Sequence, residues 1–391
     1  MRLIRKKARL LTLNLSTAIH EVTAMTMAIM NIKMTTTISR KTPLCETLFC
    51  AVILLGWLMS FAELHAGELS CTHYTDVGAV AWLPAKSLPE SSGLAISRAL
   101  PDRWYHVNDS GGGPYFYFSD SSGGGLQKVE VADWKARDPE DLTMMPNCEG
   151  SNACLVIGDI GDNKLKRDHL SLIFILEKTD FGRAPVEAKL HLKLTYPDRP
   201  HNAESLAYGL DGNFYLLTKE IDQSAAVPRT TAPPPVHLAP SPQVHFLFKI
   251  DGSVVRKQLA SGATDAKLEL VKVAEIDTAR ILGGGVRSFS EAHSDDVESN
   301  PSAFDFLPTS IDFNPITGDL LLLTYSHAII IDWVSLIYEP SQWRSQIVEL
   351  PRLFQQESVA WAIDGQSFYF GSEAEKGAKL SPIRQMRCDQ Y

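Results

Sequence analysis

Short apolar runs, each closing on polar or small residues, recur along this chain. "WYHVND" (104–109), "CLVIGD" (154–159), "FYLLTK" (214–219), "LLLLTY" (320–325) and "FYFGSE" (368–373) share one form. A second short motif precedes each: "SGLA" (92–95), "EDLT" (140–143), "ESLA" (204–207), "TSID" (309–312) and "ESVA" (357–360). From the first residue of the upstream motif to the last of the downstream run, the offsets are 17, 19, 15, 16 and 16. Turn signals lie between them: "LPDR", "NCEGSN", "LDGN", "ITGD" and "IDGQ". Apolar runs of this length bounded by Gly, Asn, Asp and Pro read as strands joined in a hairpin. Further strand-like runs follow each hairpin, among them "YFYFSD" with "LQKVEV", "LIFILEK" with "AKLHLKL", "HFLFKID" with "LELVKVAEI", and "AIIIDW" with "QIVEL". No unit carries a convincing helical period between its strands. The unit is about four antiparallel strands recurring every ~50 residues, the signature of a β-propeller blade. The expected fold is all-β, a β-propeller of five four-stranded blades. Six blades are the alternative, because the third and fourth motifs start 105 residues apart. That gap holds "AAVPRTTAPPPVHLAPSP" (225–242), a Pro-rich loop that cannot pair as strand.

The N-terminal pattern differs. "LFCAVILLGWLMSF" (48–61) is a 14-residue apolar run preceded by Arg40 and Lys41, with Ala66 as cleavage residue. This is the layout of a signal peptide, and the run is short for a membrane span; an uncleaved anchor is the other reading. The expected domains are a prefix and signal peptide over 1–66 and one propeller over 67–391. The protein is then secreted or periplasmic, with no stable span after cleavage. Without residues 1–66 the chain holds 29 Lys/Arg and 43 Asp/Glu, a formal charge of −14. Such a surface argues against nucleic acid. Four cysteines remain, Cys71, Cys148, Cys154 and Cys388, an even number in an oxidising compartment. Cys148 and Cys154 flank a five-residue loop, and Cys71 with Cys388 would tie the two chain ends. A propeller closes its ring by mixing strands from both ends, and "GAVAWLP" (78–84) is the candidate closing strand. A zinc site is the alternative use of the cysteines, though none are spaced C-x-x-C.

Candidate chemistry follows from the ring. The first strand of each blade lines the channel, and Ser92, Glu140, Glu204, Thr309 and Glu357 begin those strands in register. Three carboxylates near one axis repel unless a cation or proton is shared. The second-strand ends add Asp109, Asp159, Lys219, Tyr325 and Glu373. One reading is a hard-cation site, since Ca²⁺ takes oxygen ligands. The other is that these side chains bond neighbouring backbone and hold the blades together. "GDIGDN" (158–163) occurs in the second unit alone. Asp159, Asp162 and Asn163 are candidate metal ligands with Glu140, Glu204 and Glu357, and Arg167 is placed to meet an anion; a polar turn is the plain alternative. "HVNDSGGG" (106–113) offers the same choice between ligand loop and hairpin end. His201 is the histidine of interest, because Glu204 follows three residues later. Signatures such as G-x-S-x-G, H-E-x-x-H and the P-loop are absent from the sequence.

"GDIGDN" with Arg167, "YPDRPHNAESL" (196–206), "LLTKE" (216–220) and "QESVAWAIDG" (356–365) resemble a family of secreted bacterial β-propeller proteins of the phytase-like or esterase-like type. The resemblance spans about residues 78–375. It departs at "DWKARDPEDLT", longer than the family's compact form, and at "PTSIDF", where Gly-Gly-Asp is usual. The resemblance implies a divalent-cation-dependent hydrolase of phosphoesters or related esters. Its catalytic candidates are Glu140, Glu204, Lys219, Arg167 and His201, with Ca²⁺ as cofactor and a small anionic substrate. The alternative is a non-catalytic binding propeller, monomeric, whose channel mouth recognises a ligand or protein.

Overall fold

The computed structural model describes residues 71–100, 102–109, 111–220, 244–283, 303–337 and 343–389. Five antiparallel sheets succeed one another along the chain. The first blade contains β2 (Ser91–Ile96), β3 (Trp104–Asn108), β4 (Tyr115–Ser119) and β5 (Gln127–Glu130). The second contains β6 (Pro139–Glu149), β7 (Asn152–Asp159), β8 (Leu170–Leu176) and β9 (Leu190–Thr195). The third contains β10 (Ala203–Tyr208), β11 (Phe214–Thr218), β12 (Val244–Ile250) and β14 (Val271–Asp277). The fourth contains β15 (Pro308–Phe313), β16 (Leu320–Thr324), β17 (His327–Ile331) and β18 (Ser345–Glu349). The fifth takes β19 (Gln356–Trp361), β20 (Ser367–Ser372) and β21 (Leu380–Cys388), and its outer strand is β1 (Tyr74–Pro84) from the other end of the chain. The innermost strands β2, β6, β10, β15 and β19 neighbour one another in a closed cycle. The fold is a five-bladed β-propeller, and the described residues hold no sixth blade.

The apolar runs are continuous because each blade is buried on both faces. Successive side chains point to opposite faces of a strand. Leu320 and Leu322 therefore enter the core shared with the third blade, whereas Leu321 and Leu323 enter the core shared with the fifth. Val156 packs towards the third blade, and Leu155 and Ile157 towards the first. Five such inter-blade cores replace a single central one.

The third blade departs from its repeat. A helix, α1 (Gly252–Ala260), follows β12, although no helix is expected there from the sequence. Asp251 caps it by accepting from the backbone N–H of Ser253 and Val254. "LELVKVAEI" is not one strand but two. β13 (Asp265–Glu269) pairs in parallel with β9 of the preceding blade, and β14 pairs with β12. The break falls at buried Leu270, whose N–H donates to Thr195 O across the blade boundary. The Pro-rich segment 225–242 and the prefix 1–66 lie outside the described residues.

The expected closing segment 78–84 does pair with the chain's other end, within the longer strand β1. Tyr74 pairs with Cys388 and Pro84 with Leu380. Cys71–Cys388 and Cys148–Cys154 are both disulfides, which fits an oxidising extracytoplasmic compartment. No described helix is long and apolar enough to cross a membrane. The terminal bridge joins residues separated by 317 positions, so it restricts the unfolded chain strongly. Replacing Cys71 and Cys388 together by Ser should lower unfolding free energy by roughly 5 kcal/mol. Replacing Cys148 and Cys154, separated by 6, should cost less than half of that. Urea denaturation without reductant measures both; equal losses would mean that ring closure does not depend on the terminal bridge.

Candidate functional site

The five innermost strands share a local defect that aims side chains at the axis. In every blade the register slips between the first and third residues of the innermost strand: Ser91/Gly93, Pro139/Asp141, Ala203/Ser205, Pro308/Ser310 and Gln356/Ser358. The skipped residues are Ser92, Glu140, Glu204, Thr309 and Glu357, the same five that the repeat singles out. A β-bulge leaves its extra residue unpaired and re-aims its side chain. The residue before each innermost strand forms a second ring position: Glu90, Asp138, Asn202, Leu307 and Gln355. The residue after each second strand forms a third: Asp109, Ile160, Lys219, Tyr325 and Glu373. Backbone bonds tie these positions together, with Asp109 N–H donating to Glu90 O, Ile160 N–H to Asp138 O, Lys219 N–H to Asn202 O and Glu373 N–H to Gln355 O. In the second blade Asp159 pairs with Pro139, so Ile160 rather than Asp159 stands level with Asp109 and Lys219.

Among these positions Lys219 is the single base, set against seven carboxylates. Its Nζ lies 2.9 Å from Glu204 Oε1 and 3.3 Å from the Tyr325 hydroxyl oxygen. Tyr325 donates to Glu357 Oε1 at 2.9 Å. Asn202 Nδ2 donates to Glu204 Oε1 at 2.7 Å and to Asn163 Oδ1 at 3.2 Å. Burial works against the Lys219 charge, yet Glu204, Tyr325 and Glu357 around it hold the ammonium's pKa above the usual lysine value. Glu357 is pushed well above the ordinary carboxylate range by burial and by Glu373 beside it. Burial raises the Glu373 pKa as well, against the lowering effect of Glu357 beside it.

Glu140 is served differently. It is 1% exposed, and its Oε1 has no hydrogen-bond partner in the protein. One ligand oxygen each from Asp109, Asp138 and Glu140 can be chosen so that all lie within 4.8 Å of one another. Burial, then the charges of Glu204, Asp109 and Asp138, lift the Glu140 pKa well above its ordinary value, against the pull of Lys219. Burial and Asp109 lift Asp138 to about 6. Gly161, in "GDIGDN", makes room for this cluster. A Cβ there would stand 2.1 Å from Glu140 Oε1 and 2.6 Å from Asp138 Oδ2.

The other residues of "GDIGDN" have protein partners. Asp159 accepts from Trp134 Nε1 at 3.0 Å, from the N–H groups of Arg137 and Asp138 at 3.0 and 3.1 Å, and from Arg167 Nη1 at 2.8 Å. Arg167 is buried and donates further to Gly161 O, Asp159 O and His169 O. Asp162 accepts from Arg167 N–H at 2.7 Å, and its own N–H donates to Asn202 Oδ1 at 2.6 Å. His201 is fully buried between Glu220 Oε1 at 2.6 Å and Asp198 Oδ1 at 3.1 Å, against the rings of Tyr196, Phe246 and Phe248. The structure thus gathers Glu140, Glu204, Glu357 and Lys219 at the mouth, and gives Asp159, Arg167 and His201 buried polar partners beside it. Asp138 escapes a repeat-based reading because it precedes the "EDLT" motif; its signal is the acidic "DPED" within the lengthened segment of this blade.

Below the mouth the channel is crossed. Asp141, buried on β6, accepts from Leu206 N–H at 3.0 Å and from Ser310 Oγ at 3.1 Å, so one carboxyl links the second, third and fourth blades. Burial pushes its pKa well above the ordinary value, despite these donors.

No protein-family model matches the sequence, and no curated protein matches it. Among solved structures, the allergen Mala s 1 of Malassezia sympodialis is 9% identical, covers 81% of this chain and 98% of its own, and has a TM-score of 0.43. The PQQ-bound aldose sugar dehydrogenase of Streptomyces coelicolor is 12% identical over 81% of this chain and 98% of its own, with a TM-score of 0.39. The Penicillium chrysogenum α-L-arabinanase with arabinobiose is 10% identical over 80% and 99%, with a TM-score of 0.37. These likenesses are distant, and the chemistry of the mouth rests on its own residues.

Two outcomes follow. Arg167→Met should cost about 3–5 kcal/mol in urea unfolding, because it strands the buried Asp159 charge; a loss under ~1 kcal/mol would show that the pair is not needed for the fold. Glu140→Gln tests the mouth by pH, without added divalent cation. The folded Glu140 pKa is raised, so the parent loses stability as pH rises above the unfolded glutamate value, whereas Gln loses none there. The variant should match the parent near pH 4 and exceed it at pH 7.5; a gap that is constant with pH would overturn the assignment.

Proposed function

We propose that the acidic mouth binds a hard divalent cation, Ca²⁺ fitting best, through Asp109, Asp138 and Glu140. The protein is then an extracytoplasmic propeller that uses this cation to hold a small anionic ligand. The observation that carries this reading is the buried Glu140 oxygen without a hydrogen-bond partner, in a space that Gly161 leaves open. A buried carboxylate needs a counter-charge or a proton. Three carboxylates supply oxygen donors of the kind Ca²⁺ takes, and its remaining ligand positions stay available to water or to a ligand. Arg167 and Lys219 already pair with carboxylates, so a ligand anion depends on the cation. This favours the ligand-binding reading. On the same reading the mature chain is one domain from about residue 67, and it acts as a monomer.

A hydrolase of phosphoesters or related esters is the second reading, favoured by the chain in which Lys219 meets the Tyr325 hydroxyl and Tyr325 donates to the buried Glu357. A buried carboxyl whose pKa is raised can serve as a general acid. A hard cation across the mouth would polarise the phosphoryl or acyl oxygen of such a substrate.

Calcium should raise the melting temperature of the mature protein, with about 2.7 kcal/mol of stabilisation at a hundred times the dissociation constant. Chelator should reverse the rise, and Glu140→Gln or Asp138→Asn should abolish it. Unchanged melting of the parent on adding calcium or chelator would overturn the cation reading. Assay with p-nitrophenyl phosphate and p-nitrophenyl acetate, each with and without calcium, separates the two readings: turnover lost in Glu357→Gln supports the hydrolase, and none leaves the binding propeller.

A further inference from the structure

The mouth contains more carboxylates than one cation can serve, and the structure already places a charge among those that Asp109, Asp138 and Glu140 do not include. Lys219 Nζ lies 2.9 Å from Glu204 Oε1 and 3.3 Å from the Tyr325 oxygen, and that tyrosine donates on to Glu357. Its side chain is 11% exposed, so the ammonium is largely enclosed by these oxygens. Lys219 comes from the third-blade position equivalent to Asp109 in the first, one residue beyond the second strand. The ring therefore has two halves. Blades three to five hold a lysine among Glu204, Glu357 and Glu373, and blades one and two hold Glu140, whose Oε1 has no hydrogen-bond partner.

We infer that Lys219 is the specificity-determining residue of the mouth. Its ammonium occupies, between Glu204, Tyr325 and Glu357, the position a second metal ion would take, and so limits the mouth to one divalent cation. This rests on the cation reading of Asp109, Asp138 and Glu140. The physical ground is that a fixed charge on the chain carries no binding entropy and cannot be removed by chelation, whereas a metal ion must be captured from solution. Its positive charge also opposes the neighbouring cation, so it sets affinity as well as number. Lysine and a divalent metal are interchangeable as counter-charges only where oxygens converge, as they do here.

The test is isothermal titration of the mature protein with calcium and, separately, magnesium, together with native mass spectrometry. The parent should take one calcium. Lys219→Gln should take two, or one bound about tenfold tighter or more, because the opposing charge is gone. Lys219→Arg and Tyr325→Phe keep the charge and should stay at one. If Lys219→Gln does not fold, the double variant Lys219→Gln with Glu204→Gln replaces the ion pair by a neutral hydrogen-bonding pair of similar size. It should bind the one calcium more tightly than Glu204→Gln alone, because the opposing charge is gone. One calcium of unchanged affinity in folded Lys219→Gln, alone or in the double variant, would overturn the inference. The two proposals fail separately. A parent without calcium and a Lys219→Gln variant that binds one, and still binds it when Glu140→Gln is added, would remove the Asp109 site and keep this one. A parent calcium lost in Glu140→Gln, with no gain in Lys219→Gln, would do the reverse.

Discussion

Each of the five innermost strands has one backbone edge with no further strand to pair with. In a sheet such an edge is left to water, but here the five edges face one another around the axis on strands that are almost wholly buried. The molecule meets this constraint with side chains from adjacent blades. Asp141 accepts the N–H of Leu206, Ser310 Oγ accepts the N–H of Val359, and Asp312 accepts the N–H of Trp361. Each bond crosses from one blade to the next, so satisfying the axis and fixing the ring are one event. The apolar cores between blades can then pack, because the strands that bound them are held at a set separation.

The same constraint determines the chemistry. The bulge at the head of every innermost strand turns one side chain out of the ladder and towards the mouth. Where that residue is Ser92 or Thr309, a small hydroxyl fills the space. Where it is Glu140, Glu204 or Glu357, a carboxylate enters a region that burial has made expensive for charge. Glu204 has Lys219 and Asn202, and Glu357 has Tyr325 and Gln355. Glu140 has Asp109 and Asp138, which add negative charge rather than remove it. Three residues of one type at equivalent positions therefore have three different electrostatic fates, decided by the neighbours that the adjoining blades supply.

The architecture was legible from the chain because propeller blades repeat. Runs such as "LLLLT" are apolar on both faces, and their spacing marks the blade; "GAVAWLP" and the terminal cysteines likewise mark the closure. The helix α1 and the strand β13 were not legible. The helix depends on Asp251 capping a short segment without strong periodicity, and β13 depends on a parallel partner 73 residues or so away along the chain, the distance from Thr195 to Leu268. "GDIGDN" was legible as something particular to one blade. Its division of labour was not, because Asp159 and Asp162 are both acidic and only the register gives Asp159 to Arg167 and the neighbouring backbone.

What the sequence determined by itself is the period: five hairpins, five residues in register at their heads, and two pairs of cysteines in an acidic chain. These depend on spacing along the chain, which the sequence states directly. What only the tertiary structure decided is pairing across blades. Lys219 meets Glu204 and Tyr325, Asp109 meets Asp138 and Glu140, and Gly161 leaves room beside them. Those partners are up to 106 positions apart, and their distances follow from ring closure rather than from local spacing. Coulomb energy depends on distance in space and not on separation along the chain, so which carboxylate meets a counter-charge and which is left open is set by that closure.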